Sequence, residues 1–270
     1  MAIIQIFVSK GASKVTHGQP STVNEKPQNI YDDPVFFEGY KTLLQNDTGL
    51  NGALERPSLR QLLPGLSGLH ILDLGCGFGD FARFARDNGA TSVMGVDVSA
   101  RMLQEAEKYT RDLVVTYLNM PLEQYQAAPQ SIDLIVSSLA LHYVDDYADV
   151  VKRLYQGLKP GGRLIFSVEH PMCTANPVGW VSDEYGSEQY WPVDNYQQEG
   201  RRETRWFIDG VVKYHRTVET YVNTLLRAGF LLHHLGEPTP TNEAMTIRPE
   251  LRIHCRRPPF LFLMAMRPGV

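Results

Sequence analysis

The chain is expected to fold as a doubly wound α/β sheet, and three observations carry that expectation. Short apolar runs alternate with segments of helical period through most of its 270 residues. One run, Ile71 to Leu74, enters the loop Gly75-Cys76-Gly77-Phe78-Gly79, from which a helical pattern departs. A second run, Ser92 to Val96, delivers Asp97 eighteen residues after the last of those glycines, at the strand end where open α/β sheets place ligand-contacting residues.

The elements follow in order. Residues 11–30 are rich in Ser, Thr, Gln, Asn, Lys and Pro, so residues 1–30 read as a flexible lead-in. Residues 31–66 read as a helical arm whose Tyr31, Phe36 and Tyr40 are the candidates to face inward, and residues 67–270 as the main domain. The glycines of the first loop tolerate positive φ and let a ligand approach the backbone at a helix N-terminus. The helix that follows stops at Gly89, and Ser99 caps the next, which carries Met102, Leu103 and Ala106. Val114 to Leu118 and Ile132 to Ser137 are the third and fourth strands. A helix from about Asp146 to Leu158 shows Val150, Val151, Leu154 and Leu158 at helical spacing. The Lys-Pro-Gly-Gly stretch at residues 159–162 ends it, and Arg163 to Val168 is the fifth strand. Thr217 to Ala228 reads as a helix stopped by Gly229, with Phe230 to Leu235 and Phe260 to Met266 as closing strands.

Length and an apolar content of 43% suit one α/β core with an elaboration rather than two independent domains. The net charge of −4 gives no basic surplus of the kind a duplex-binding protein carries. Cys76, Cys173 and Cys255 are too scattered for a disulfide framework or a zinc site, and a reducing cytoplasm is expected. The first residues lack a basic n-region, and no apolar stretch reaches membrane-spanning length. No Asp/His cluster has metal-ligand spacing, so no metal is expected.

A dinucleotide site also uses a glycine-rich turn and a later acidic residue. Here, however, the spacing is Gly-x-Gly-x-Gly, and Asp73 lies just before the loop. A carboxylate there repels a pyrophosphate and complements an ammonium or sulfonium. The pattern resembles class I S-adenosylmethionine-dependent methyltransferases, over roughly residues 67–170 and 216–268. That resemblance implies a seven-stranded, mostly parallel sheet with its last strand antiparallel beside the fifth, and S-adenosylmethionine as cofactor. It further implies that Asp73 and the segment Gly75, Cys76, Gly77 and Gly79 face the methionine part, while Asp97, with Val98 beside it, accepts both ribose hydroxyls. Met102 lies against the adenine or packs in the core. Asn119 and Met120 stand where many relatives carry an acidic adenine contact, and Ser137, Ser138 and Leu139 end the strand that borders the transfer chamber. Tyr31 belongs to an arm of the kind that closes over the cofactor.

The fourth strand is followed by Ser-Ser-Leu-Ala-Leu-His-Tyr, without the Asn/Asp-Pro-Pro-Tyr/Phe motif of many amino-methylating enzymes, and resembles the small-molecule branch instead. An insertion over about residues 171–215 holds all three tryptophans, Trp180, Trp191 and Trp206, which suits an aromatic cap over a small substrate. Tyr40, His170 and His215 join them as candidate substrate contacts. Methyl transfer is an in-line displacement governed by alignment, with a base needed if the acceptor must lose a proton. His142 and His170, both beyond strand ends, are the candidate bases, with His215 a further one. The expected function is methyl transfer to O, N or C of a small aromatic or natural-product-like metabolite, with no nucleic acid or membrane partner; oligomeric state is left open. Two alternatives stand beside it. One is an RNA or protein methyltransferase docking through Arg201, Arg202 and Arg205, and the other a non-catalytic binder of the cofactor.

Overall fold

The computed structural model describes residues 27–45, 49–175 and 178–269. The expected lead-in over residues 1–30 therefore lies outside the described residues as far as residue 26. Strands β1 (His70–Leu74), β2 (Ser92–Asp97), β3 (Val115–Asn119), β4 (Ile132–Ser138) and β5 (Leu158–Glu169) pair in parallel. The chain then leaves the sheet for two antiparallel hairpins, β6 (Val181–Ser182) with β7 (Glu188–Tyr190) and β8 (Gly200–Trp206) with β9 (Ile208–His215). It returns as β10 (Leu231–Gly236) and β11 (Phe260–Met266), giving a seven-stranded sheet of order β10-β11-β5-β4-β1-β2-β3. Strand β11 is antiparallel to both β5 and β10, as the resemblance implied.

The helices are α1 (Pro34–Gln45), α2 (Arg56–Leu62), α3 (Asp80–Asp87), α4 (Ala100–Tyr109), α5 (Tyr147–Gly157), α6 (Pro171–Ala175), α7 (Val218–Arg227) and α8 (Asn242–Ile247). Polar residues at the boundaries set several starts. Ser99, Asp146 and Thr217 accept hydrogen bonds from the N–H groups of Met102, Asp149 and Thr220, satisfying donors that the first helical turn cannot.

Strand β5 begins five residues earlier than Arg163, the start read from the sequence. Leu158 pairs with Ile132, residues 159–162 bow out, and Arg163 resumes pairing opposite Leu134. The bow is tied down at both ends: Lys159 Nζ binds both Asp133 oxygens at 2.8 Å, and Gly161 N donates to Arg267 O at 2.9 Å.

Strand alternation sorts the core into two layers. Leu72, Leu74, Ile135, Leu164 and Phe166 pack on one face with α5 and α7 residues such as Val151 and Leu225. Ile71, Leu134, Val136 and Ile165 pack on the other with Ala82 and Ala85 of α3 and with Leu54 and Leu59 of the arm. The parity that sends Ile71 to the second face sends Asp73 there too, and likewise Ser138, Ser167 and Glu169 toward the strand ends. The arm is fastened above them. Asp32 Oδ1 accepts from Ser99 Oγ at 2.6 Å and from Arg101 N at 3.1 Å, joining the arm to the first turn of α4.

Candidate active site

A cavity of about 640 Å³ opens at the C-terminal ends of β1, β2 and β4, beneath the arm and the β8–β9 hairpin. The first loop contributes Gly75, Cys76 and Gly77 to its wall. Asp73 and Asp97 reach it from their strands, followed by Val98 and by Met102 of α4. The loop's course requires glycine at Gly75, which has φ +72° and where a side chain would run into the Cβ of Ala140. Gly77 has open space around its missing side chain and donates its N–H to Asp97 Oδ2 at 2.9 Å. Asp97 Oδ1 accepts from Ser99 N at 2.9 Å, so both carboxylate oxygens are aimed by backbone donors and each keeps a lone pair for a ligand hydroxyl.

The two carboxylates sit in a poor environment for charge. Burial, aided by the charges of Asp97 and Asp80, pushes Asp73 up to about 8. Burial also raises Asp97, against the hydrogen bonds from Ser99 and Gly77. Asp73 Oδ2 is buried and has no hydrogen-bond partner among the described residues.

The roof is aromatic. Tyr31 and Tyr40 of the arm, Tyr143 beyond β4, and Trp206 of β8 all line the cavity, as does Trp191. Edge-to-face contacts knit arm to hairpin, Phe36 meeting Trp206 at 5.2 Å and Tyr40 meeting Trp206 at 5.8 Å between ring centroids. Below them, Lys213 Nζ of β9 pairs with Glu169 Oε2 of β5 at 2.6 Å, both side chains nearly buried. Burial opposes charge on each, yet the pairing prevails: Lys213 is raised, with Tyr143 assisting, and Glu169 is lowered, with His142 assisting.

Three histidines named from sequence have their lone pairs engaged. His142 lines the cavity, but its Nδ1 accepts the Glu169 N–H at 3.3 Å, leaving the proton on Nε2. Burial, with Lys213 nearby, lowers its pKa to about 3. His170 lies outside the cavity wall; its Nδ1 accepts from Met172 N at 3.1 Å and its Nε2 donates to Glu237 at 2.8 Å. His215 also lies outside, donating through Nε2 to Tyr196 O at 2.9 Å and accepting from Thr174 Oγ1 at 2.7 Å. As placed, none of the three offers a free nitrogen lone pair for proton abstraction.

Other expected contacts stand behind the wall. Trp180 packs edge-on to Trp191 and under Arg256, so it buttresses the cap. Asn119 spends its amide N–H groups on Asp97 O and Val98 O, and Met120 packs against the core. Gly79 forms the N-cap of α3 at φ +71°. Ser137 points through the sheet to Leu74 O, and alternation makes its neighbour Ser138 the one that faces the cavity. Sequence reading missed Tyr143, Glu169 and Lys213, together with Glu55 and Arg56 of the arm. For Glu169 the parity of its strand was an available signal; for the arm residues there was none.

A family model described as a methyltransferase domain matches residues 72–166. The crystal structure of an S-adenosylmethionine-dependent methyltransferase from Mesorhizobium loti is 46% identical and superposes with a TM-score of 0.76, covering 81% of this chain and 100% of that one. This chain belongs to the class I S-adenosylmethionine-dependent methyltransferases. The methyltransferase is also similar to an uncharacterized protein from Haemophilus influenzae, 33% identical over 88% of this chain and 97% of that one. A malonyl-[acyl-carrier protein] O-methyltransferase from Enterobacter lignolyticus is 37% identical over 110 residues, 41% of this chain and 43% of that enzyme.

Its cofactor is S-adenosylmethionine, and the residues of this methyltransferase fit it. An orphaned buried carboxylate oxygen on Asp73 suits a cationic ligand, the bare backbone at Gly77 leaves room for close approach, and the aimed oxygens of Asp97 suit a diol. The cofactor supplies an electrophilic methyl group. No helix among the described residues is long and apolar enough to cross a membrane, and no cluster of three metal-ligating side chains is found there.

Proposed function

We propose that this methyltransferase acts on O, N or C of a small, aromatic or similarly compact metabolite. The observation that supports this most is the roof over the strand ends: two arm tyrosines and Trp206 close a cavity whose volume of about 640 Å³ suits a cofactor with a compact acceptor. Pockets for small ligands run from about 300 to 1,000 Å³ and are lined mainly by apolar and aromatic groups. On this reading Asp97 holds the ribose, Asp73 and the glycine loop take the methionine end, and the tyrosine and tryptophan faces position the acceptor. Alignment of nucleophile, methyl and sulfur, with water excluded by the roof, accounts for much of the rate. A phenol-like or carboxylic acceptor that arrives ionised needs no protein base, which accords with the engaged lone pairs of His142, His170 and His215.

A macromolecular acceptor would need an accessible charged docking face. The arginines of β8 are diluted for that purpose: Arg201 pairs with Glu203 at 2.7 Å and Arg205 with Asp209 at 3.6 Å. The resemblance to an enzyme named for an acyl-carrier substrate spans less than half of this chain, so a carrier-bound acid is tested alongside free metabolites. Incubation with methyl-labelled S-adenosylmethionine and a metabolite extract, followed by mass analysis, is expected to show label in a low-mass product. Label confined to protein or RNA would overturn the small-molecule reading.

A further inference from the structure

Two consecutive arm residues bring charge into the cavity without belonging to the glycine loop or the Asp97 site. Glu55 has 0% of its surface exposed, yet it lines the cavity. Its Oε1 accepts from Ser138 Oγ at 2.9 Å and from Ser167 Oγ at 2.5 Å, which fixes the carboxylate across the ends of β4 and β5. Its Oε2 is buried and has no hydrogen-bond partner among the described residues. Arg56, partly exposed, lines the same cavity; its charge acts on the Glu55 carboxyl, but its guanidinium is held by no salt bridge or side-chain hydrogen bond among the described residues. The charges of Glu55 and Arg56 both act on the hydroxyl of Tyr40, which also lines the cavity.

Buried polar atoms are almost always paired, and an unpaired one costs free energy that a bound partner recovers. The other unmatched oxygen at this site, Asp73 Oδ2, is on the loop side, and the Lys213–Glu169 pair satisfies itself. That leaves an anchored, unpaired carboxylate oxygen and, on the adjacent residue, a partly exposed guanidinium that no side chain holds in place, opposite charges lining one cavity. We propose that Glu55 and Arg56 clamp an α-amino-acid zwitterion, Glu55 Oε2 taking the ammonium and Arg56 the carboxylate. Burial raises the Glu55 carboxyl, against Ser167, Ser138 and Arg56, so an arriving ammonium shifts it toward the ionised form and binding releases protons.

The clamp rests on the methyltransferase reading of the cavity, within which two ligands present this chemistry: the methionine end of the cofactor and an amino-acid acceptor. Calorimetry separates them. S-adenosylhomocysteine and 5′-methylthioadenosine, which lacks the amino-acid end, are titrated into the wild type, Glu55→Gln and Arg56→Met. The common amino acids are then titrated into protein saturated with S-adenosylhomocysteine. If the clamp holds the cofactor, both variants weaken S-adenosylhomocysteine at least about tenfold while 5′-methylthioadenosine changes less than about twofold, and Glu55→Gln reduces the protons released. If it holds the acceptor, S-adenosylhomocysteine is unaffected, and an amino acid binds the wild-type complex but neither variant complex. Unchanged S-adenosylhomocysteine affinity with no amino acid bound overturns the clamp. Failure of the wild type to bind either nucleoside would instead overturn the cofactor placement beneath it. Arg56 is not in the packed core, so its variant keeps the test valid should Glu55→Gln unfold.

Discussion

Asp73 makes cofactor binding depend on pH in a way that can be calculated. Its carboxyl is held at about 8 by burial and by the charges of Asp97 and Asp80, so the ligand-free protein carries it largely protonated at neutrality. A sulfonium or ammonium beside it favours the ionised form. The apparent dissociation constant for S-adenosylmethionine then scales as one plus ten to the power of the difference between that pKa and the pH, a factor of roughly 100 at pH 6 and roughly 2 at pH 8. Binding should therefore weaken about 50-fold between pH 8 and pH 6, about 2.3 kcal/mol. Calorimetry at pH 7 in buffers of different ionisation enthalpy should show the wild type releasing about one proton more per cofactor bound than Asp73→Asn.

The same shift acts on stability. An unfolded aspartate titrates near 3.8, so this raised carboxyl contributes stability that is present below that value and lost as pH rises through about 8. Asp73→Asn should melt higher than the wild type at pH 8 without ligand, by several degrees for a stabilisation of about 2 kcal/mol. It should also bind S-adenosylmethionine more weakly and with a flatter pH profile. Wild-type affinity that is constant from pH 6 to pH 8, or an Asn variant with the wild-type slope, would refute the assignment of the proton to Asp73.

Asp97→Ala should weaken both S-adenosylmethionine and S-adenosylhomocysteine about 10- to 100-fold by calorimetry, through lost charged hydrogen bonds to the ribose. Lys213→Met leaves Glu169 charged and nearly buried without its partner, and should cost about 3–5 kcal/mol in denaturant unfolding, most of it regained by adding Glu169→Gln. Because pairing with Lys213 lowers the Glu169 carboxyl against burial, the stability contributed by the pair should be present above the ordinary Glu value and fall as pH drops through the lowered one. His142→Gln should leave the shape of the pH–rate profile for an identified acceptor unchanged, since its Nδ1 lone pair is committed to Glu169 N. A lost basic or acidic limb would restore His142 as the base.

Much of the sheet was legible because strand alternation and helical period are local properties. The capping side chains of Ser99, Asp146 and Thr217 set helix starts from one residue's chemistry, and the bow before Arg163 was missed because its anchors, Asp133 and Arg267, are far away in sequence. The candidate site divides the same way. Asp73, Gly75, Gly77 and Asp97 are close enough along the chain to be read as one loop and strand end, and the structure gathers them in one cavity. Trp180, His170 and His215 looked equivalent to Trp191, Trp206 and His142, and packing placed the first three outside the cavity wall.

The sequence alone determined the doubly wound sheet and the family to which the chain belongs, because the glycine loop, Asp73 and Asp97 carry their spacing within about thirty residues. Tertiary structure decided the rest of the chamber. Glu55 acquires its place only when Ser138 and Ser167 reach it from 83 and 112 residues away, and Glu169 finds Lys213 only when the hairpin folds back over β5. Burial is a property of the assembled protein, so the raised Asp73 and the engaged histidines also appear only after folding. Local spacing specifies how a chain approaches a cofactor; which charges remain unpaired beside it depends on contacts that no local pattern encodes.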